Sequence, residues 1–116
     1  MSEEQVGTLV VVCREGMGHG DPELQKRLFG AWLKLVQQDG RLPGAIAFYT
    51  EGVLLARQGS AFVDDLRALE EKGVRLILCK TCTDHFGITD DLAVGIVGGM
   101  GDILAAQWQA RKVIAL

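Results

Sequence analysis

Five short apolar runs, separated by stretches of helical periodicity, constrain this chain more than any other feature. The runs are Thr8 to Cys13, Gly44 to Tyr49, Val74 to Cys79, Ala93 to Val97 and Lys112 to Leu116. The first is continuously apolar, as a central strand covered on both faces must be. The third is apolar and β-branched and stops at a cysteine. Strands that alternate with helices join through right-handed crossovers. The pattern therefore predicts a three-layer α/β/α fold around a five-stranded parallel sheet, flavodoxin-like in general architecture. With 116 residues, 48% of them apolar, there is room for one domain, 1–116, and one core.

The segments between the runs carry their own punctuation. Asp21-Pro22-Glu23 reads as an N-cap, a proline at the first helical position and an acid on the positive end of the dipole. Leu24, Leu28, Ala31, Trp32 and Leu35 recur at helical spacing and predict the core face of that helix, which Asp39-Gly40 ends. Thr50-Glu51-Gly52 turns the chain into a short helical segment from Val53 to Arg57. Ser60 is the expected N-cap of a further helix, with Phe62, Val63, Leu66 and Leu69 inward and Asp64, Asp65, Glu70 and Glu71 in water. The last helix starts near Asp102 and turns Ile103, Ala106 and Ala110 to one side. Trp32 and Trp108 lie on helical faces, where core or interface roles are expected.

Charge and cysteine usage exclude several functions. The net charge is −3 and the basic residues are scattered, so nucleic acid is not an expected partner. The start, Met1-Ser-Glu-Glu-Gln5, lacks the basic segment of a signal peptide, and the apolar runs are too short to span a bilayer. The expectation is a soluble, cytoplasmic protein that does not bind membranes. An odd count of three cysteines points to reduced thiols or redox chemistry rather than a disulfide framework.

In an open parallel sheet, chemistry gathers outside the carboxyl ends of the strands. That edge should collect Cys13-Arg14 and the loop Gly16 to Gly20, Tyr49-Thr50-Glu51, Cys79 to Asp84, and Gly98 to Gly101. Cys79 ends a strand and Cys82 follows in a short polar loop. The Cys-x-x-Cys spacing fits a sulfur carrier whose thiolate is favoured by Lys80 and free loop amides. It also fits a dithiol redox pair, or half a zinc site completed by His19, His85 or Cys13. It is equally compatible with a buried cysteine ending a strand beside an ordinary loop residue. The first glycine loop lacks the dinucleotide and P-loop patterns but could hold an anion on backbone amides. His85 could assist proton transfer, although an exposed turn histidine reads the same.

Several segments together resemble the DsrE/DsrF-like family. They are Gly16-Met17-Gly18-His19-Gly20-Asp21, Phe48-Tyr49 with Gly52-Val53, Leu66 to Gly73, Cys79-Lys80-Thr81-Cys82 with Asp84 and Gly87, and Leu92-Ala93-Val94-Gly95. The likeness is strongest to the DsrE-type half of YedF-like, sulfurtransferase-like selenium-metabolism proteins. It implies a homo-oligomer that passes sulfur, or selenium, on a cysteine, with no cofactor. Cys82 and Cys79 match the second and first cysteines of the family's Cys-Gly-Thr-Cys loop, which makes Cys82 the expected carrier and Cys79 its resolving or supporting thiol. Candidates for holding an anionic substrate are Gly16, Gly18 and His19, then Thr81, Thr83 and Asp84, then Gly99 and Met100. YedF-like proteins carry a TusA-like domain with a Cys-Pro motif ahead of this one. It is absent from 1–116, so the expected sulfur donor or acceptor acts in trans. His85 stands where the family has an aromatic residue, and Gly99-Met100 where it has Asn-Met. The alternative class is a non-catalytic small-anion or nucleotide-binding module, or an oligomeric scaffold, with incidental thiols.

Overall fold

The structure is a computed structural model, and it describes residues 7–116. The N-terminal segment Met1 to Gln5, which lacks the basic stretch expected of a signal peptide, lies outside the described residues. The strands are β1 (Thr8–Val12), β2 (Ala45–Phe48), β3 (Arg75–Cys79), β4 (Ile96–Gly98) and β5 (Lys112–Ala115). The α-helices are α1 (Pro22–Asp39), α2 (Val63–Glu71), α3 (Lys80–His85) and α4 (Met100–Gln109), and Thr50–Ala56 forms a 3-10 helix. The sheet order is β4-β3-β2-β1-β5, and every pairing is parallel.

Topology assigns the layers. From β1 to β4 the chain steps one strand at a time in one direction, so right-handed crossovers keep α1 and α2 on one face. From β4 it crosses the whole sheet to β5, which carries α4 over the opposite face. Val10 accordingly borders Trp32 and Val36 of α1, whereas Leu9 and Ala45 border Ala106 of α4 and its C-cap residue Ala110. Neighbouring strand residues point to opposite faces, so this split is what three layers require. On the α1 side the core is built on Ile46, Phe48, Leu76 and Leu78, all fully or almost fully buried. Each such side chain contributes about 1.5–3 kcal/mol. Phe29 meets Phe62 edge-on (5.1 Å, 77°) and stacks with Trp32 (6.5 Å, 8°), which joins α1 to the segment leading into α2.

Helix α1 turns a different side inward from the one its leucines suggest. Leu24, Leu28 and Leu35 are 51%, 44% and 62% exposed, and Ala31 is exposed as well. Phe29 and Leu33 are buried instead, with Trp32 and Val36 half-buried. Both sets follow helical spacing, so the helix has two apolar stripes and only packing chooses between them. The caps are as expected: Asp21 accepts from the Leu24 amide at 3.1 Å, and Gly40 takes the left-handed conformation.

Three boundaries also move. Strand β4 begins at Ile96 rather than Ala93, because Gly95 takes a left-handed φ of 87° against the Leu78 side chain. Leu92 to Gly95 is pinned instead by Ala93 N–H to Ala56 O (2.9 Å) and by Gly95 N–H to the Glu70 carboxylate (2.9 Å). Glu70 and Asp65 are therefore half-buried rather than in water; Asp65 accepts from Lys34 and Gln37. Ser60 caps a turn through the Phe62 amide, and α2 starts three residues later, at Val63. The segment after Cys79, expected as a loop, is helix α3.

Candidate functional site: a thiol pair at the carboxyl edge

The parallel register places Val12, Phe48 and Leu78 side by side, and Cys79 beside Gly98. The residues that leave the strands here, Cys13, Tyr49 and Cys79, emerge at one edge. Helix α3 begins immediately after Cys79. Thr83 at its centre is fully buried, and its hydroxyl donates to the Lys80 carbonyl (3.1 Å) and lies 2.9 Å from the Thr89 hydroxyl. Lys80 and Asp84, one turn apart, form an ion pair of 2.6 Å. Lys80 holds the Asp84 carboxyl below its ordinary range, helped by a hydrogen bond from Thr89; Asp84 in turn raises the ammonium.

One turn into α3, Cys82 is half-buried, while Cys79 behind it is buried. All three cysteines are free. The Thr50 amide donates to the Cys82 sulfur at 3.1 Å. Burial nevertheless pushes the Cys82 thiol up, the hydrogen bond with Cys79 and the charge of Glu51 add to this, and the Thr50 amide opposes it. The activating lysine expected from the sequence is not available to it: Lys80 turns to Asp84. Cys13 is half-buried, with an Arg14 guanidinium nitrogen 3.7 Å from its sulfur. Burial, and then the neighbouring Cys13, raise the Tyr49 phenol.

The other candidates divide. Gly16 is buried where a Cβ would lie 2.4 Å from the Gln25 backbone, and Met17 N–H donates to Gln25 O (2.9 Å). The Gly20 amide reaches the Gln25 side chain at 3.3 Å. The first glycine loop is thus folded back on α1, and these two amides are occupied rather than open to an anion. Gly18 and His19 are exposed on that loop. Thr81 is exposed on α3, whereas Thr83 points inward and serves the helix rather than a ligand. Gly99 caps α4, with its amide on Asp102 (2.8 Å), and Met100 is exposed beside it. His85 is exposed and packs edge-on against Phe86 at 5.1 Å. Among the described residues no group of three or more His, Cys, Asp or Glu is placed to hold a metal ion, and no helix is long and apolar enough to cross a membrane. A groove of about 720 Å³ opens at the opposite edge of the sheet, between Thr8, Gly44, Arg75 and Ala106, away from the cysteines.

Thr50 was expected in a turn at this carboxyl edge, with no role assigned to it. A hydroxyl residue just past a strand end at the expected ligand edge was the available signal. Its contact with a cysteine 32 positions away was not legible.

A five-stranded, all-parallel α/β protein with a Cys-x-x-Cys pair where its third strand meets a helix is the class that this geometry defines. The chain belongs to the DsrE/DsrF-like family, whose family model matches residues 26–116. The fold is shared with the ychN protein of E. coli, at 23% identity and a TM-score of 0.67 over 94% of this chain and 97% of that one. It is also shared with MTH1491 of Methanobacterium thermoautotrophicum, a protein of unknown function, at 23% identity and a TM-score of 0.69 over the same shares. A third similar structure, BT1422 of Bacteroides thetaiotaomicron, is likewise of unknown function. It is 12% identical, with a TM-score of 0.65 over the whole of both chains. No curated protein matches the chain.

Proposed function

We propose that the protein is a sulfur-relay carrier that takes up a sulfur atom on Cys82 as a persulfide and passes it on. The observation that carries this reading is the half-buried Cys82 sulfur at the carboxyl edge, held by the Thr50 amide and backed by Cys79. In the uptake step the Cys82 thiolate attacks the terminal sulfur of a donor persulfide. The donor S–S bond breaks, a new S–S bond forms on Cys82, and the donor leaves as a thiolate. Delivery reverses these roles. Cys79 supports Cys82 from behind or resolves its persulfide: the Cys79 thiolate attacks the inner Cys82 sulfur, the persulfide S–S bond breaks, a Cys79–Cys82 disulfide forms and hydrosulfide leaves. The donor or acceptor is a second protein, TusA-like in chemistry, acting in the cytoplasm, where thiols stay reduced. The likeness to YedF-like proteins makes selenium an alternative cargo for the same step.

Intact-protein mass spectrometry tests this after reduced protein is mixed with a persulfide donor, for wild type, Cys79→Ser and Cys82→Ser. Gain of one dithiothreitol-removable sulfur that is lost only in Cys82→Ser supports the carrier. No uptake by wild type, with slow native alkylation of all three thiols, sinks it in favour of a binding module.

We also propose a homo-oligomer, with a second copy of this chain against α4. Met100, Leu104 and Trp108 form an exposed stripe four residues apart, Trp108 being 83% exposed, and Ile96 on the edge strand β4 is exposed on the same side of the sheet. Among the described residues α4 is the helix assigned to this face, and a helix with an exposed apolar stripe beside an open sheet edge suits symmetric packing of two copies. Sedimentation of wild type and Trp108→Glu checks it; a monomeric wild type rules it out.

A further inference from the structure

We propose that Thr50 is the positioning residue that holds the Cys82 sulfur at the open edge and selects it, rather than Cys79, as the reacting atom; this rests on the carrier reading above. Among the described residues Thr50 is the one non-glycine with a positive φ, 47°. A β-branched residue does not adopt this conformation without something to hold it there. The holding groups are on both sides. Its hydroxyl donates toward the carbonyls of Cys13 and Tyr49, the residues that follow β1 and β2. Tyr49 N–H donates to Val12 O at 3.1 Å, and Gly52 comes so close to β1 that a Cβ there would lie 2.1 Å from Val12 O. The segment 49–52 is therefore seated on the end of β1.

With the hydroxyl turned down onto two carbonyls, the amide of the same residue is turned up onto Cys82. A glycine could reach this φ, but it could not lock it. The hydroxyl sets the direction of the N–H, and the N–H favours negative charge on one sulfur only. A thiolate on Cys82 gains this donor at its own sulfur. Cys79 lies behind it, out of solvent. Glycine-based anion sites use backbone freedom; here a threonine side chain takes over that task.

The test is native alkylation by iodoacetamide against pH, resolved to single cysteines by peptide mass spectrometry. It compares wild type with Thr50→Val, Thr50→Ser and Thr50→Gly, all checked for fold by circular dichroism. Thr50→Val keeps the shape and loses both hydroxyl bonds. We expect its Cys82 rate near neutral pH to fall about threefold or more, with an upward shift of the profile and no change at Cys79. Thr50→Ser should stay within about twofold of wild type, because its hydroxyl restores the lock. Thr50→Gly, which bears no strain at this φ, should resemble Thr50→Val and serves if valine disrupts the fold. Val and Gly profiles that superimpose on wild type overturn the assignment, as does equal labelling of Cys79 and Cys82 in wild type. Persulfide uptake is read on the same samples. Loss of uptake in wild type with the Thr50 effect intact removes the carrier reading alone. Intact uptake with unchanged profiles removes the role of Thr50 alone.

Discussion

Lys80 and Asp84 face each other across 2.6 Å on the exposed side of α3, so the cation inside the Cys-x-x-Cys motif is engaged by the carboxylate one helical turn further on. Burial, Cys79 and Glu51 then raise the Cys82 thiol, and the Thr50 amide is what opposes them. This relationship sets the first two expectations.

Asp84→Asn should free Lys80 and remove a negative charge from the helix that carries Cys82. We expect native alkylation of Cys82 to rise modestly. Stability follows the opposite course. Asp84 is held below its ordinary carboxyl range by Lys80 and Thr89. A depressed carboxyl contributes stability above its unfolded value, about 3.9, and loses it as pH falls through the folded value. Urea midpoints of wild type and Asp84→Asn should differ at neutral pH and converge in acid. A gap that persists in acid contradicts this.

Cys82 works with the reverse sign. Its thiol is raised above the ordinary 9.0, chiefly by burial and then by Cys79. A group raised in the folded state stabilises fully below its unfolded value and loses that contribution as pH climbs through the folded one. Native Cys82 should therefore reach its alkylation midpoint at higher pH than the same cysteine in the urea-unfolded chain. Sulfur uptake, which needs the thiolate, should quicken through the alkaline side of neutrality. A native midpoint below the unfolded one contradicts the burial argument.

Gly52 has an ordinary φ but no room. A methyl group there would lie 2.1 Å from Val12 O and 2.9 Å from its carbonyl carbon. These are backbone atoms of a central strand and cannot move aside. Gly52→Ala should cost roughly 3 kcal/mol, the upper end for overpacking, and should disturb Thr50 with it. Urea denaturation gives the stability, and Cys82 alkylation the second effect.

Two neighbours on α1 separate core from surface. Phe29 is fully buried and Leu28 is 44% exposed. Phe29→Ala should cost about 3–5 kcal/mol in urea unfolding. Leu28→Ser should stay within about 0.5 kcal/mol. Equal losses would mean that the leucine stripe is covered after all.

The parallel α/β architecture was legible in the chain alone, because continuous apolar runs between helices have few other ways to bury themselves. The sequence also determined the helix caps at Asp21 and Gly40, which depend on neighbours a few residues away. It marked the edge where Cys13, Tyr49 and Cys79 emerge, since in a parallel sheet every strand ends on the same side. Tertiary structure decided what depends on distant partners. The leucine stripe and the Phe29 stripe of α1 have the same period, so only the sheet beneath chose between them. The backbone turn at Gly95, packed on Leu78, delayed β4. The pairing of Thr50 with Cys82 joined groups 32 positions apart, whose alternatives were equally open in the chain. Local propensity acts over one or two turns, whereas the state of a thiol is set by whatever the fold brings within hydrogen-bond reach.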